Sequence, residues 1–153
     1  MAHTHNSPAS GTYSVFSWDD LIGLANLIRQ GKVETENFVY YLFTADGTNY
    51  ALTIEDPLAF SQFFAIKDNS DYDPNVGFRM GFEMNKYFDP GRIGHPKITE
   101  NSTSNTDDEK AFLDFMHDNN IGATLLESDA SLTNFAEVTH DKTTDTIKKQ
   151  PCN

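Results

Sequence analysis

The Asp46-Gly47 pair constrains the fold more than any other feature of the sequence. It stands between two runs rich in β-branched and aromatic residues, Asn37–Thr44 and Asn49–Ile54. An Asp-Gly step in that setting supplies the positive-φ positions of a tight hairpin turn whose twist matches that of the strands it joins. The chain is therefore expected to build a sheet, and the segments on either side of the hairpin indicate what packs on it.

Ser17 is a good helix N-cap, Asp19 and Asp20 follow in the first turn, and Trp18, Leu21, Ala25 and Ile28 recur at helical spacing as far as Gly31. Beyond the hairpin, Asp56-Pro57 opens a helix carrying Leu58, Phe60, Phe63 and Phe64 to about Ile66. Thr106 and Glu109 have capping-box spacing for a further helix with Phe112, Phe115 and Met116, which Gly122 ends. Residues 76–88 alternate like a strand from Val76 to Met84, yet Asp73-Pro74 opens them as a helix cap would, and helix is the reading adopted. Ala123–Glu127 and Leu132–Thr139 predict two short strands around a turn at Ser128–Ser131, and residues 6–16 and 89–105 read as loops. With 12 Phe and 6 Tyr there is aromatic bulk for a core. The expected fold is α/β: a small mixed β-sheet with a hairpin, packed against three to four helices. One domain covers residues 1–140, and a polar, frayed tail follows over 141–153.

Asp and Glu number 23 against 11 Lys and Arg, a formal charge of −12. Nucleic acid is disfavoured as a partner, because counterion release requires a basic surface, and an anionic membrane is disfavoured for the same reason. No run approaches the ~20 apolar residues of a membrane span. The first residues, MAHTHNSPASG, have neither the basic nor the apolar region of an export signal, so a cytoplasmic location is expected if the chain is complete. Cys152 is the single cysteine and has no intrachain partner.

One constellation suggests chemistry. On an extended strand His3 and His5 project to the same face, and Ser17-x-x-Asp20 brings a carboxylate to a helix start. Two imidazoles and one carboxylate are three of the four positions of a catalytic zinc, the fourth being a water whose pKa the metal lowers toward ~7. The same residues have plainer readings. Ser17 and Asp20 form a capping box without any metal, and His3 and His5 can be free terminal side chains. A free amine with histidine at position three can also take Cu(II) or Ni(II) in a square-planar site. His95 and His140 read as surface residues, and His117 as a partner for a helix C-terminus. Asp68, Asp71 and Asp73 lack the glycine and closing glutamate of a calcium loop and read as a solvated turn.

The order His-x-His, spacer, Ser-x-x-Asp resembles the signature of JAMM (MPN) metallopeptidases, and the sequence is similar to the JAMM-like modules near the C-termini of large Bacteroidetes proteins. The hairpin FVYYLFTADGTNYALTIED and the ending ATLLESDASLTNFAEV, followed by Pro-Cys-Asn, resemble those modules too. The resemblance implies the C-terminal part of a JAMM-like fold and a zinc-dependent peptidase or isopeptidase acting on a protein or peptide. Under it His3, His5 and Asp20 are the metal ligands, and Ser17 is the catalytic group on the oxyanion side. It also implies a general-base Glu on a strand upstream of residue 1. The spacer of eleven residues between His5 and Ser17 is longer than usual in the family, and Asn6 stands where proline is common. Two further readings are a non-catalytic interaction module of degenerate JAMM-like fold and an acidic, immunity-type protein that neutralises a basic partner.

Overall fold

A six-stranded mixed sheet runs in chain order from β1 to β6 and carries the helices in its connections. The computed structural model describes residues 1–5, 13–44, 47–64, 82–84, 86–88, 98–99 and 104–152. The elements are β1 (Ala2–His5), α1 (Trp18–Arg29), β2 (Val39–Thr44), β3 (Asn49–Ile54), α2 (Pro57–Phe63), α3 (Asn105–Asp118), β4 (Ala123–Ser128), β5 (Phe135–Asp141) and β6 (Thr146–Pro151). Residues 82–84 and 86–87 are also helical, in keeping with the helical reading of that stretch. The expected mixed sheet with three to four helices is the architecture found.

β1 pairs parallel with β2, and every other neighbouring pair is antiparallel. A parallel pair needs a crossover, and α1 lies within it. The hairpin pairs Val39 with Thr53 and Phe43 with Asn49 around Gly47, whose φ of +83° a glycine adopts without strain. Alternation sends Tyr40 and Leu42 of β2, Tyr50, Leu52 and Ile54 of β3, Leu125 of β4 and Val138 of β5 into the core. Above them Trp18 makes ring contacts with Phe63, Phe64, Phe88 and Phe115, and Phe16 bridges Tyr40 to Phe112. The sequence period of α1 is thus realised, with Leu21, Leu24 and Ala25 buried.

Asp56 caps α2, accepting from the amides of Leu58 and Ala59. That helix stops at Phe63, short of the expected end. The N-cap of α3 is Ser104, not Thr106; its side chain accepts from the Asp107 amide. The expected capping partner Glu109 instead lies inside, 5% exposed, and accepts a hydrogen bond from the Tyr50 hydroxyl at 3.2 Å. The expected frayed tail is also corrected, because residues 146–151 form β6 along β5. Its side chains are mostly exposed, Ile147 being the half-buried one, so strand periodicity is faint; the backbone ladder, Lys148–Asp141 and Lys149–Glu127 hold it. The turn residue Asp46, the cluster Asp68, Asp71 and Asp73, His95 and the loops over 6–12 and 89–97 lie outside the described residues.

Glu109 shares a hydrogen bond with Glu127, which pairs with Lys149 at 2.5 Å. Burial and the Glu127 charge push the Glu109 carboxyl up to about 7, against the lowering effects of Lys149 and Tyr50. Its folded value is above its unfolded value, so the stability linked to its proton is present in acid and lost as pH rises through about 7. Glu109→Gln is expected to gain on the order of 1–3 kcal/mol over the parent at pH 8 and little at pH 4.5, measured by urea unfolding at both pH values.

Gly122 has φ +71°, and a Cβ there would stand 2.6 Å from the Asp56 carbonyl oxygen. Gly122→Ala is expected to cost about 2–4 kcal/mol, a fall in Tm of roughly 5–15 °C. Gly23, within α1, has nothing within 4 Å of an added Cβ, so Gly23→Ala should raise stability by about 0.5–1 kcal/mol. Thermal melts of the two variants check both signs.

Candidate metal centre

The short edge strand β1 carries His3 and His5 on one face, and the sheet register sets them beside Leu42 and Thr44. Their rings lie edge to face with centroids 4.9 Å apart. The first turn of α1 delivers Asp20 to them. His3 Nε2 is 3.3 Å from Asp20 Oδ1, and His5 Nε2 is 3.1 Å from Asp20 Oδ2. One ligand atom from each residue lies within 4.8 Å of the others, a cluster that can hold a metal ion. Four ligands at ~2.0 Å from a tetrahedral zinc are separated from one another by roughly 3.3 Å; the two N–O separations are of that order, each to a different oxygen of Asp20.

The second nitrogen of His5 settles which atom faces the cluster. Nδ1 lies 2.7 Å from the Tyr13 carbonyl oxygen. A carbonyl only accepts, so Nδ1 carries a proton and donates to it, while Nε2 faces Asp20 Oδ2 and hydrogen-bonds to it in the metal-free protein. Metal-binding histidines commonly donate their other N–H to a backbone carbonyl in this way. His5 and Asp20 are each 8% exposed, whereas the His3 side chain is 41% exposed, so the cluster opens toward solvent on the His3 side.

Ser17 is the N-cap of α1. Its backbone amide and its hydroxyl both donate to Asp20 Oδ2 at 2.8 Å, and its oxygen accepts from the Asp20 amide at 3.2 Å. The capping box and the cluster therefore coexist: the cap orients the carboxylate that faces the imidazoles. Burial alone would raise the Asp20 pKa, but hydrogen bonds from His5 and Ser17 outweigh it and hold the carboxyl below its ordinary value. Tyr40 adds a group that sequence reasoning placed only in the core. Its ring centroid is 6.5 Å from that of His3, and burial, with a contribution from the Asp20 charge, pushes its phenol up to about 12.

The remaining histidines stand apart from this centre. His140, expected at the surface, has a side chain 8% exposed, with Nδ1 2.9 Å from Asp114 and Nε2 3.1 Å from Asp145. His117 is exposed in the last turn of α3, as expected, and contacts Asp118. Both line a cleft of about 660 Å³ between α3 and the strands β4 and β5, which none of His3, His5 or Asp20 reaches. The N-terminal amine donates to the Val39 carbonyl at 3.1 Å, a contact that a square-planar amine–His3 site would have to break. Among the described residues no helix is long and apolar enough to cross a membrane.

Ser17→Ala removes both the cap acceptor and a donor to Asp20, and is expected to cost the metal-free protein about 1–2 kcal/mol. Because Asp20 is held below its unfolded value, its contribution is present at neutral pH and lost as pH falls through the folded value. Melting curves at pH 7 and pH 2.5 should therefore show the penalty of Ser17→Ala shrinking in acid. No protein-family model, no curated protein and no solved structure matches the chain.

Proposed function

We propose that the chain is a zinc-dependent hydrolase domain of the JAMM-like metallopeptidase type, cleaving an amide or isopeptide bond with metal-activated water. The observation that carries this reading is the convergence of His3, His5 and Asp20, with N–O separations of 3.1 and 3.3 Å. In it the three side chains hold the ion, and the solvent-facing side near His3 admits water and substrate. A bound zinc supplies a Lewis acid and a water acidic enough to be hydroxide near neutral pH. The Tyr13 carbonyl keeps His5 Nε2 turned to the ion, and Ser17 keeps Asp20 in place. For Ser17 to act on the oxyanion side, its hydroxyl proton turns from Asp20 to the substrate about the Cβ–Oγ bond. Among the described residues no further carboxylate joins the cluster. The reading therefore draws its general base from a Glu preceding residue 1 in a longer chain.

The Ser17 proton, already engaged by Asp20, favours a second reading, a metal-binding interaction module without catalysis.

Zinc at a hundredfold above its Kd should stabilise the native state by ~2.7 kcal/mol. That corresponds to a rise in Tm of roughly 5–10 °C. His3→Ala and Asp20→Ala should each abolish the shift; a full shift in both variants would overturn the assignment of the site. The same donor set suits iron(II), and elemental analysis of protein purified without added metal separates the two. Chelator-sensitive cleavage of peptide or isopeptide substrates by the zinc-loaded protein distinguishes the hydrolase from the interaction module.

A further inference from the structure

The segment between the strand and helix of the metal cluster is itself held from a distance. Val15 and Phe16 are fully buried, and Ser14 is 5% exposed. The Ser14 hydroxyl donates to Asp108 Oδ2 at 2.7 Å across 94 residues of sequence. Asp108 is 1% exposed and lies in the first turn of α3, where the positive end of the helix dipole favours a carboxylate. The residue before Ser14 is Tyr13, whose carbonyl accepts the Nδ1 proton of His5 at 2.7 Å. A continuous path thus runs from α3 through Asp108, Ser14 and the Tyr13 carbonyl to His5.

We infer that Asp108 is a positioning residue for the metal cluster, acting through Ser14 and the Tyr13 carbonyl to set which nitrogen of His5 faces the ion. The inference rests on the proposed metal reading for its zinc readout, but its first consequence needs no metal. A buried charge-assisted hydrogen bond fixes the Ser14 backbone, and the carbonyl one peptide unit away is fixed with it. Without that anchor the carbonyl drifts from Nδ1, the ring is freer to turn about its Cβ–Cγ bond, and Nε2 loses its fixed aim at the ion position. Outer contacts of this kind typically govern metal affinity by 10–100-fold.

Ser14→Ala, Ser14→Thr and Asp108→Asn are compared with the parent chain and with Val138→Ala, a core variant on β5 that is remote from the path. In metal-free protein at fixed pH, the ¹⁵N and ¹H shifts of the His5 Nδ1–H group report its hydrogen bond to the Tyr13 carbonyl. In zinc titrations against a chromophoric chelator, the Kd is read directly. Ser14→Ala and Asp108→Asn should move the His5 Nδ1–H signal toward that of a weaker hydrogen bond and weaken zinc by about tenfold. Ser14→Thr should restore both, and Val138→Ala should lose stability while leaving both unchanged. If Ser14→Ala unfolds, the pair Asp108→Asn and Ser14→Thr supplies the same comparison. A His5 Nδ1–H signal unchanged in folded Ser14→Ala or Asp108→Asn would overturn the inference. Should the parent chain take up no zinc while the His5 Nδ1–H signal responds as stated, the metal reading fails and the positioning role stands.

Discussion

The Asp20 carboxylate is the point on which the two halves of the site depend. One of its oxygens takes two hydrogen bonds from Ser17 and faces His5, and the other faces His3. A carboxylate can serve all of these at once because it is acceptor-only and has lone pairs on both oxygens. The first turn of α1 is thereby tied to β1, although the chain between them makes no regular structure where it is described. Replacing Asp20 by an apolar side chain would leave the Ser17 amide and a buried imidazole without an acceptor, each a larger loss than a hydrogen bond exchanged for water.

Much of the architecture was legible because its signals are local. Asp-Gly turn chemistry marked the β2–β3 hairpin, Ser17 and Asp56 marked helix starts, and period-two burial at Tyr40 and Leu42 followed from alternation. The misses share a physical cause, since each depends on a distant partner. β6 is held by its ladder to β5 and by Lys149 reaching Glu127 on β4, neither of which leaves a hydrophobic period in residues 146–151. Glu109 had the spacing of a capping residue, and Ser104 took the cap instead, because the helix begins two residues earlier and turns Glu109 toward Tyr50.

The site divides along the same line. His3, His5, Ser17 and Asp20 could be read from spacing, since strand alternation and a helix cap are local rules. Tyr13 and Ser14 contribute through a carbonyl and a hydroxyl in a stretch that reads as an ordinary loop, and Asp108 reads as one more acid in a helix first turn. No sequence pattern links positions 14 and 108. The side chains that would touch an ion were therefore visible in advance, and the ones that aim them were not.

Charge counting argues for the kind of metal chemistry proposed. Two neutral imidazoles and a single carboxylate around a divalent ion leave a net charge of +1, which favours hydroxide over water at the open position; a second carboxylate ligand would cancel that advantage. The surrounding chain carries a formal charge of −12, so the positive centre would sit in a negative field that concentrates cations and cationic segments near it. Burial of His5 and Asp20 beside an open His3 would keep such a centre partly shielded from solvent, with an approach on the His3 side. A site meant only to lock two elements together would gain by closing the fourth position with a further side chain, as structural zinc sites do. Among the described residues, His3, His5 and Asp20 form the cluster that could hold an ion.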